Sequence, residues 1–185
     1  MQKRQAEHQW IRPARETDAG RIAEMIVINY RVNFYPFFRN DAYYFGELNV
    51  LDMAKTYVQG SAELRNSYVY DDGVVKGMIR ISGAEVEKLF VEPQFQSQGI
   101  GAALLRFALW EKNADALWVL EYNTRGIAFY ERNGFVMNPF EYMQPAMGED
   151  RHAIPLRIMS YPKRLLADEF ETMRDVLYCH VYRQK

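Results

Sequence analysis

Apolar positions along the chain recur with two periods, and the order in which those periods alternate predicts the architecture. Residues 9–14 suit a short strand. Glu16-Thr17-Asp18 then offers side-chain acceptors for a helix start ahead of an apolar stripe at Ile22, Met25, Ile26 and Tyr30. Between Tyr30 and Phe45 half the residues are aromatic, Pro36 interrupts them, and neither period holds, which predicts a packed, irregular connection. Helical spacing returns at Val50, Met53, Ala54, Tyr57 and Val58 and stops at Gln59-Gly60. Residues 67–70 and 74–81 flank Asp71-Asp72-Gly73, a hairpin signal, and residues 84–91 continue the meander.

Beyond Pro93 the pattern changes. Gly99-Ile100-Gly101 opens an apolar helical stretch over 102–110, Leu117 to Leu120 reads as a buried strand, and Thr124 to Asn133 as a short helix stopped by Gly134. Strands near 135–144 and 153–160 follow. Leu166, Phe170, Met173 and Leu177 then mark one face of a final helix, which either packs on the domain or makes a homodimer contact. Antiparallel strands first and alternating strands and helices afterwards predict an α+β (mixed α/β) fold with a mostly antiparallel sheet. The expected boundaries are a tail over 1–8, one domain over 9–161 and a helical extension over 162–185.

Composition narrows the function classes. In 185 residues, 23 basic against 24 acidic side chains leave a net charge of −1, so the broad attraction used by non-specific nucleic-acid binders is missing. Cys179 is the only cysteine, which excludes an intramolecular disulfide and multi-cysteine metal sites. His8, His152 and His180 show no ligand spacing, so no metal is expected. No signal-peptide core or membrane-length apolar run is read, and a soluble cytoplasmic location is the expectation.

The segment from Leu89 to Leu105 carries the chemistry. A strand ends at Val91, Pro93 stops the ladder, and Gly99 and Gly101 open a helix whose first N–H groups lack intrahelical acceptors, an arrangement that binds anions. A dinucleotide fingerprint fails because position 104 is leucine, and no Gly-Lys-Ser/Thr of a Walker loop is present. Gln96-Ser97-Gln98-Gly99-Ile100-Gly101 resembles the Q/R-x-x-G-x-G/A acetyl-CoA loop of the GNAT acyltransferase superfamily. Asn123 to Phe135 resembles its N-x-x-A-x-x-x-Y-E-K-x-G-F element. The two occur in the family's order, and the resemblance spans about residues 9–161.

The resemblance implies a GNAT-like sheet flanked by helices, with acetyl-CoA as co-substrate. Backbone groups of Leu89, Phe90 and Val91 would pair with the pantetheine arm, and amides from Gln96 through Ser97, Gln98, Gly99, Ile100 and Gly101 to Ala102 would cradle the pyrophosphate. Asn123 would hold the strand edges or the pantetheine. The family's usual loop cation is absent, no cation lying between Lys88 and Arg106, so a modest cofactor affinity is expected, aided by Arg125 or Arg132.

Acyl transfer to an amine needs a neutral nucleophile, a stabilised oxyanion and a leaving thiol. An alkylamine of pKa ~10.4 is neutral only about once in a few thousand molecules at pH 7, a penalty of roughly 4.6 kcal/mol, so a positioned base is useful. Strand alternation places Glu85 and Glu87 on the face of Leu89 and Val91, opposite Val86, Lys88 and Phe90. Glu87 matches the family's E-x-L-x-V pattern, Glu85 is the second candidate base, and solvated face charges are the plain alternative. The resemblance makes Tyr130 the donor to the leaving thiolate and a backbone amide near Leu89 or Phe90 the oxyanion donor. Cys179 lies outside both motifs, which favours direct attack in a ternary complex.

In the family the connection after the first helix lines the acceptor site. Here that implies Tyr30, Phe34 and Tyr35, either as an apolar wall for a small-molecule amine or simply as core. The leading expectation is an N-acetyltransferase for a small primary amine. The alternatives are a protein or peptide acetyltransferase and a non-catalytic acyl-CoA-binding module.

Overall fold

The computed structural model describes residues 8–144 and 154–162. The strands are β1 (Ile11–Pro13), β2 (Ser67–Asp71), β3 (Val75–Ser82), β4 (Glu85–Val91), β5 (Ala116–Leu120), β6 (Val136–Gln144) and β7 (Ile154–Ser160). They form one sheet in the order β1-β2-β3-β4-β5-β7-β6, in which β4 and β5 are parallel and every other pair antiparallel. The mixed, mostly antiparallel sheet expected from the pattern is therefore present. The insertion of β7 between β5 and β6 was not legible in it. The final helix expected around Leu166 to Leu177 lies outside the described residues, as do Cys179 and all of the expected 162–185 extension except Pro162.

Helices cover both faces: α1 (Ala19–Asn33), α2 (Tyr35–Phe38), α3 (Val50–Ala54), α4 (Ala62–Arg65), α5 (Ile100–Glu111) and α6 (Thr124–Arg132). Alternation along β3 divides the core. Ile79 and Ile81 pack with Leu104, Leu105 and Ala108 of α5, whereas Met78 packs with Ile22, Met25 and Ile26 of α1. Gly77 allows α5 to lie close, because a Cβ there would stand 3.0 Å from both Ile100 Cγ2 and Leu104 Cδ1. No described helix is long and apolar enough to cross a membrane.

Two local expectations are corrected. The helix expected from Val50 to Gly60 is α3 alone, followed by a turn that buries Tyr57 and then by α4, capped where Ser61 Oγ accepts from the Leu64 amide at 3.1 Å. The aromatic stretch is more regular than its pattern. α1 continues to Asn33, α2 follows with Pro36 in its first turn, and Ala42–Glu47 makes a single wide π-type turn around buried Tyr44. Its rings pack on Val27 and Leu48 in a third small core, so tertiary burial and not side-chain period organises it.

Asp18 does not cap α1. Its carboxylate is taken by Arg12, with Nη1 to Oδ2 at 2.7 Å and Nη2 to Oδ1 at 3.0 Å, and by the Arg15 amide at 2.8 Å. Arg12 also reaches Asp71 Oδ2 at 2.6 Å, so one guanidinium ties β1, the start of α1 and the β2–β3 hairpin together. Desolvation opposes ionisation of Asp18, but its hydrogen bonds to Arg12 and the Arg15 amide outweigh it; Asp18 and Asp71 both titrate below the usual carboxylate range. A depressed carboxyl pKa contributes stability above the unfolded value near ~3.9 and loses it as pH falls through the folded value. Arg12→Ala should thus destabilise by about 3 kcal/mol at pH 7 and flatten the acid decline below about pH 4, read from urea melts across pH. An unchanged acid limb would assign the decline to other carboxylates.

Candidate active site

β4 and β5 form ladder pairs only at Glu85–Ala116 and Val86–Leu117, after which they diverge. A cleft of about 950 Å³ opens in the splay, lined by Glu87 to Val91 on one side and Trp118 to Leu120 on the other. The Glu92 amide donates to Lys76 O at 3.0 Å, continuing the β3–β4 ladder in which Gly77 opposes Val91 and Met78 opposes Phe90. Bonded residues alternate in an antiparallel pair, so Phe90 is committed to β3 while the backbones of Leu89 and Val91 turn into the splay. Val91 O accepts there from Gln96 Nε2 at 3.0 Å and Asn29 Nδ2 at 3.3 Å. Of the two amides expected as oxyanion donors, Leu89 has the suitable direction and Phe90 does not.

The glycine loop continues from this edge. Ser97 at φ +62° and Gly99 at φ +85° adopt left-handed conformations around Gln98, folding the backbone tightly into the N-terminus of α5. No side chain caps α5, and its first internal bond runs from the Ala103 amide to Gly99 O at 2.9 Å. The preceding amides are therefore free to meet an anion. Gln96, Ser97, Gly99, Gly101 and Ala102 line the cleft. Gln98 and Ile100 do not: Gln98 donates outward to Gln94 O at 3.3 Å, and Ile100 is buried in the core.

α6 supplies the opposite wall and a cation that the loop lacks. Arg125 Nη2 donates to Gln96 Oε1 at 2.7 Å, which puts a guanidinium beside the loop from 29 residues downstream, and Arg132 also lines the cleft. Asn123 caps α6 by accepting from the Gly126 amide at 2.9 Å and also lines the cleft. The cap sits close on Gly126, where an added Cβ would stand 2.5 Å from Asn123 Nδ2 and the Asn123 side chain would have to shift. Tyr130 lines the cleft from the same helix. It keeps some accessible surface but is closely surrounded by protein atoms, and desolvation pushes its phenol up to about 12.

The strand geometry around the expected bases is corrected by a bulge. Arg80 opposes Lys88 and Ile81 opposes Val86, which leaves Glu87 as an extra residue in β4. Period-two reasoning fails across it. Val86, Leu89 and Val91 pack toward α5 while Phe90 packs toward α1, so the carboxylates do not share a face with Leu89 and Val91. Glu87 lines the cleft and pairs with Arg80 Nε at 2.5 Å. Glu85 pairs with Ala116 at the closed end of the splay and is not among the lining residues.

Tyr30 and Phe34 line the acceptor end, with ring centroids 5.1 Å apart. Tyr35 does not: its hydroxyl donates to Asp41 Oδ1 at 2.7 Å and its ring packs on Tyr44 and Phe45. Polar lining residues that the sequence did not single out include Asn29, Asn33 and Lys88. Asn29 is buried in α1, Asn33 donates to Asn29 Oδ1 at 3.1 Å, and Lys88 Nζ donates to Tyr30 Oη at 2.6 Å. Asn29 could have been noticed as a polar residue beside the apolar stripe of α1.

Residues 63–137 match the family model described as acetyltransferase (GNAT) domain. A segment of 67 residues is 33% identical to the peptidyl-lysine N-acetyltransferase YjaB of Salmonella typhimurium, covering 36% of this chain and 46% of that protein; the match spans just under half of this relative's length. Apo YjaB from Escherichia coli shares the fold, with TM-score 0.63 and 19% identity over 82% of this chain and 95% of that one. YncA of Salmonella typhimurium, solved with its cofactor acetyl-CoA, gives a TM-score of 0.55 and 19% identity over 84% and 95% of the two chains. These likenesses bear out the resemblance carried by the two motifs.

Proposed function

We propose that this chain, which carries a GNAT acetyltransferase domain, transfers an acetyl group from acetyl-CoA to the primary amine of a small molecule by direct attack in a ternary complex. The observation that carries the reading is the continuity of the β4–β5 splay with the uncapped N-terminus of α5. A splay with unpaired backbone groups suits an extended amide-bearing arm, and helix-start amides suit a pyrophosphate at its far end.

Acetyl-CoA, when bound, supplies the acyl thioester. Leu89 and the Val91 amide offer backbone groups to the pantetheine, the Val91 carbonyl being taken by Gln96 and Asn29, and the amides from Gln96 to Ala102 hold the pyrophosphate together with the Arg125 guanidinium. The Leu89 amide faces the developing oxyanion. Glu87, fixed by Arg80, accepts the amine proton directly or through water. As the new C–N bond forms and the C–S bond breaks, Tyr130 donates a hydrogen bond to the departing sulfur.

Arg125 adds positive charge that the loop sequence lacks. Arg125→Ala should raise the acetyl-CoA Kd about tenfold by calorimetry, with a weaker salt dependence than wild type. An unchanged Kd would leave phosphate binding to the backbone alone.

A second reading, acetylation of peptidyl lysine, is favoured by the name of the Salmonella relative. Thiol release from acetyl-CoA, measured against a panel of small amines and a lysine peptide array, separates the two. Release with small amines supports the first and release with peptides alone the second. Cofactor binding without release in either arm would leave a binding module.

A further inference from the structure

The bulge at Glu87 has a chemical result at the acceptor end of the cleft. It lets two consecutive residues of opposite charge, Glu87 and Lys88, line the same cavity. Glu87 is matched by Arg80, and it is the only carboxylate among the described lining residues. Lys88 has no carboxylate partner among the described residues. Its Nζ instead donates to Tyr30 Oη at 2.6 Å and stands 5.2 Å from the centroid of that ring. Because Lys88 is the donor in this contact, the Tyr30 hydroxyl proton remains available to a further acceptor. The other lining cations, Arg125 and Arg132, belong to α6, the wall that carries the cofactor contacts.

An ammonium held at this place disfavours a purely cationic acceptor and favours one that brings its own negative charge. We infer that the acceptor carries a carboxylate close to its amine, as an amino acid or a small amino-acid derivative does, and that Lys88 Nζ and Tyr30 Oη bind that carboxylate. One ammonium and one hydroxyl suit a singly charged carboxylate; a dianionic phosphate is more commonly met by a guanidinium fork or a larger donor set. Glu87 and Lys88 are neighbours that line one cleft, which suits a substrate whose ammonium meets Glu87 while its carboxylate meets Lys88. The inference rests on the acetyltransferase reading and assigns the substrate class for that site.

The test uses matched acceptors: amino acids, their carboxamides and their decarboxylated amines, each assayed with acetyl-CoA for kcat and KM. Wild type should prefer the acid over its decarboxylated partner by roughly ten- to a hundredfold in kcat/KM, the range of one charge-assisted contact. In Lys88→Met that ratio should collapse toward one, chiefly through KM, and Lys88→Arg should restore most of it. Should Lys88→Met fail to fold, the wild-type ratio decides the acceptor class and Tyr30→Phe, which should lower that ratio, decides the contact. Equal use of all three acceptors, retention of the preference in Lys88→Met, or a preference for peptide lysines overturns the inference while leaving acetyl transfer intact. No transfer to any acceptor despite acetyl-CoA binding overturns the functional reading and this inference with it.

Discussion

Tyr130→Phe is expected to lower kcat by about a hundredfold or more while acetyl-CoA affinity stays within about twofold of wild type. The ring contacts survive the change, since the ring centroids of Phe129 and Phe135 stand 5.2 Å and 6.0 Å from that of Tyr130 and phenylalanine keeps the ring. What is lost is one hydrogen-bond donor in a confined cleft. With its pKa pushed up to about 12, the phenol remains protonated across any working pH. Complete proton transfer to a thiolate of pKa ~8.5 would run uphill by roughly 3.5 units, about 4.8 kcal/mol. In the proposed mechanism Tyr130 would therefore act by hydrogen-bonding the leaving sulfur, with the sulfur's proton supplied afterwards from solvent or the released amine proton.

The sign of the shift sets the pH dependence. A raised phenol pKa keeps the donor form present up to about 12, whereas an ordinary phenol begins to lose it near ~10. The wild-type to Tyr130→Phe ratio of kcat should thus be flat from about pH 6 to 10, the pH dependence common to both proteins coming from other groups. A ratio that falls toward one near pH 9 would mean the phenol ionises in the working enzyme. An unchanged kcat would remove Tyr130 from the chemistry.

Gly101→Val is expected to raise the acetyl-CoA Kd at least about thirtyfold with little change in fold. A Cβ at this position would stand 3.3 Å from Phe129 Cζ and 3.6 Å from Val91 Cγ2. The two added methyls would crowd the gap between α5 and α6, where the helix-start amides open into the cleft. Helix propensity does not oppose the change, because glycine is the poorer helix former. A melting temperature within a few degrees of wild type, alongside lost binding by calorimetry, separates blockage from unfolding. Tight binding by this variant would move the pyrophosphate away from the α5 N-terminus.

Much of the site was legible locally. Gly99 and Gly101 mark a helix start that can hold an anion because that property belongs to the backbone within a few residues. The Asn123 to Phe135 segment is likewise a capped helix with its stop, readable from adjacent residues. Glu85 and Tyr35 show where such reading ends. Strand alternation gives no warning of an inserted residue, and the bulge separates Glu87 from the face of Leu89 and Val91. An aromatic segment without a period gives no indication which rings meet the cavity and which meet each other. Asn29, on α1, reaches the Val91 carbonyl 62 residues away, a contact no spacing rule contains.

The sequence by itself determined most of the strand and helix order, the mixed sheet, the anion-binding turn and the resemblance to GNAT acetyltransferases, since these follow from short-range periodicity, backbone chemistry and two contiguous motifs. The tertiary structure decided that of Arg125 and Arg132 it is Arg125 that bonds to the loop, and it alone decided that β7 enters between β5 and β6 and that Lys88 meets Tyr30 in the cleft. Each is a meeting of distant residues governed by strand register, splay and helix docking. Those depend on how whole faces pack, and a linear pattern records only the face and not its partner.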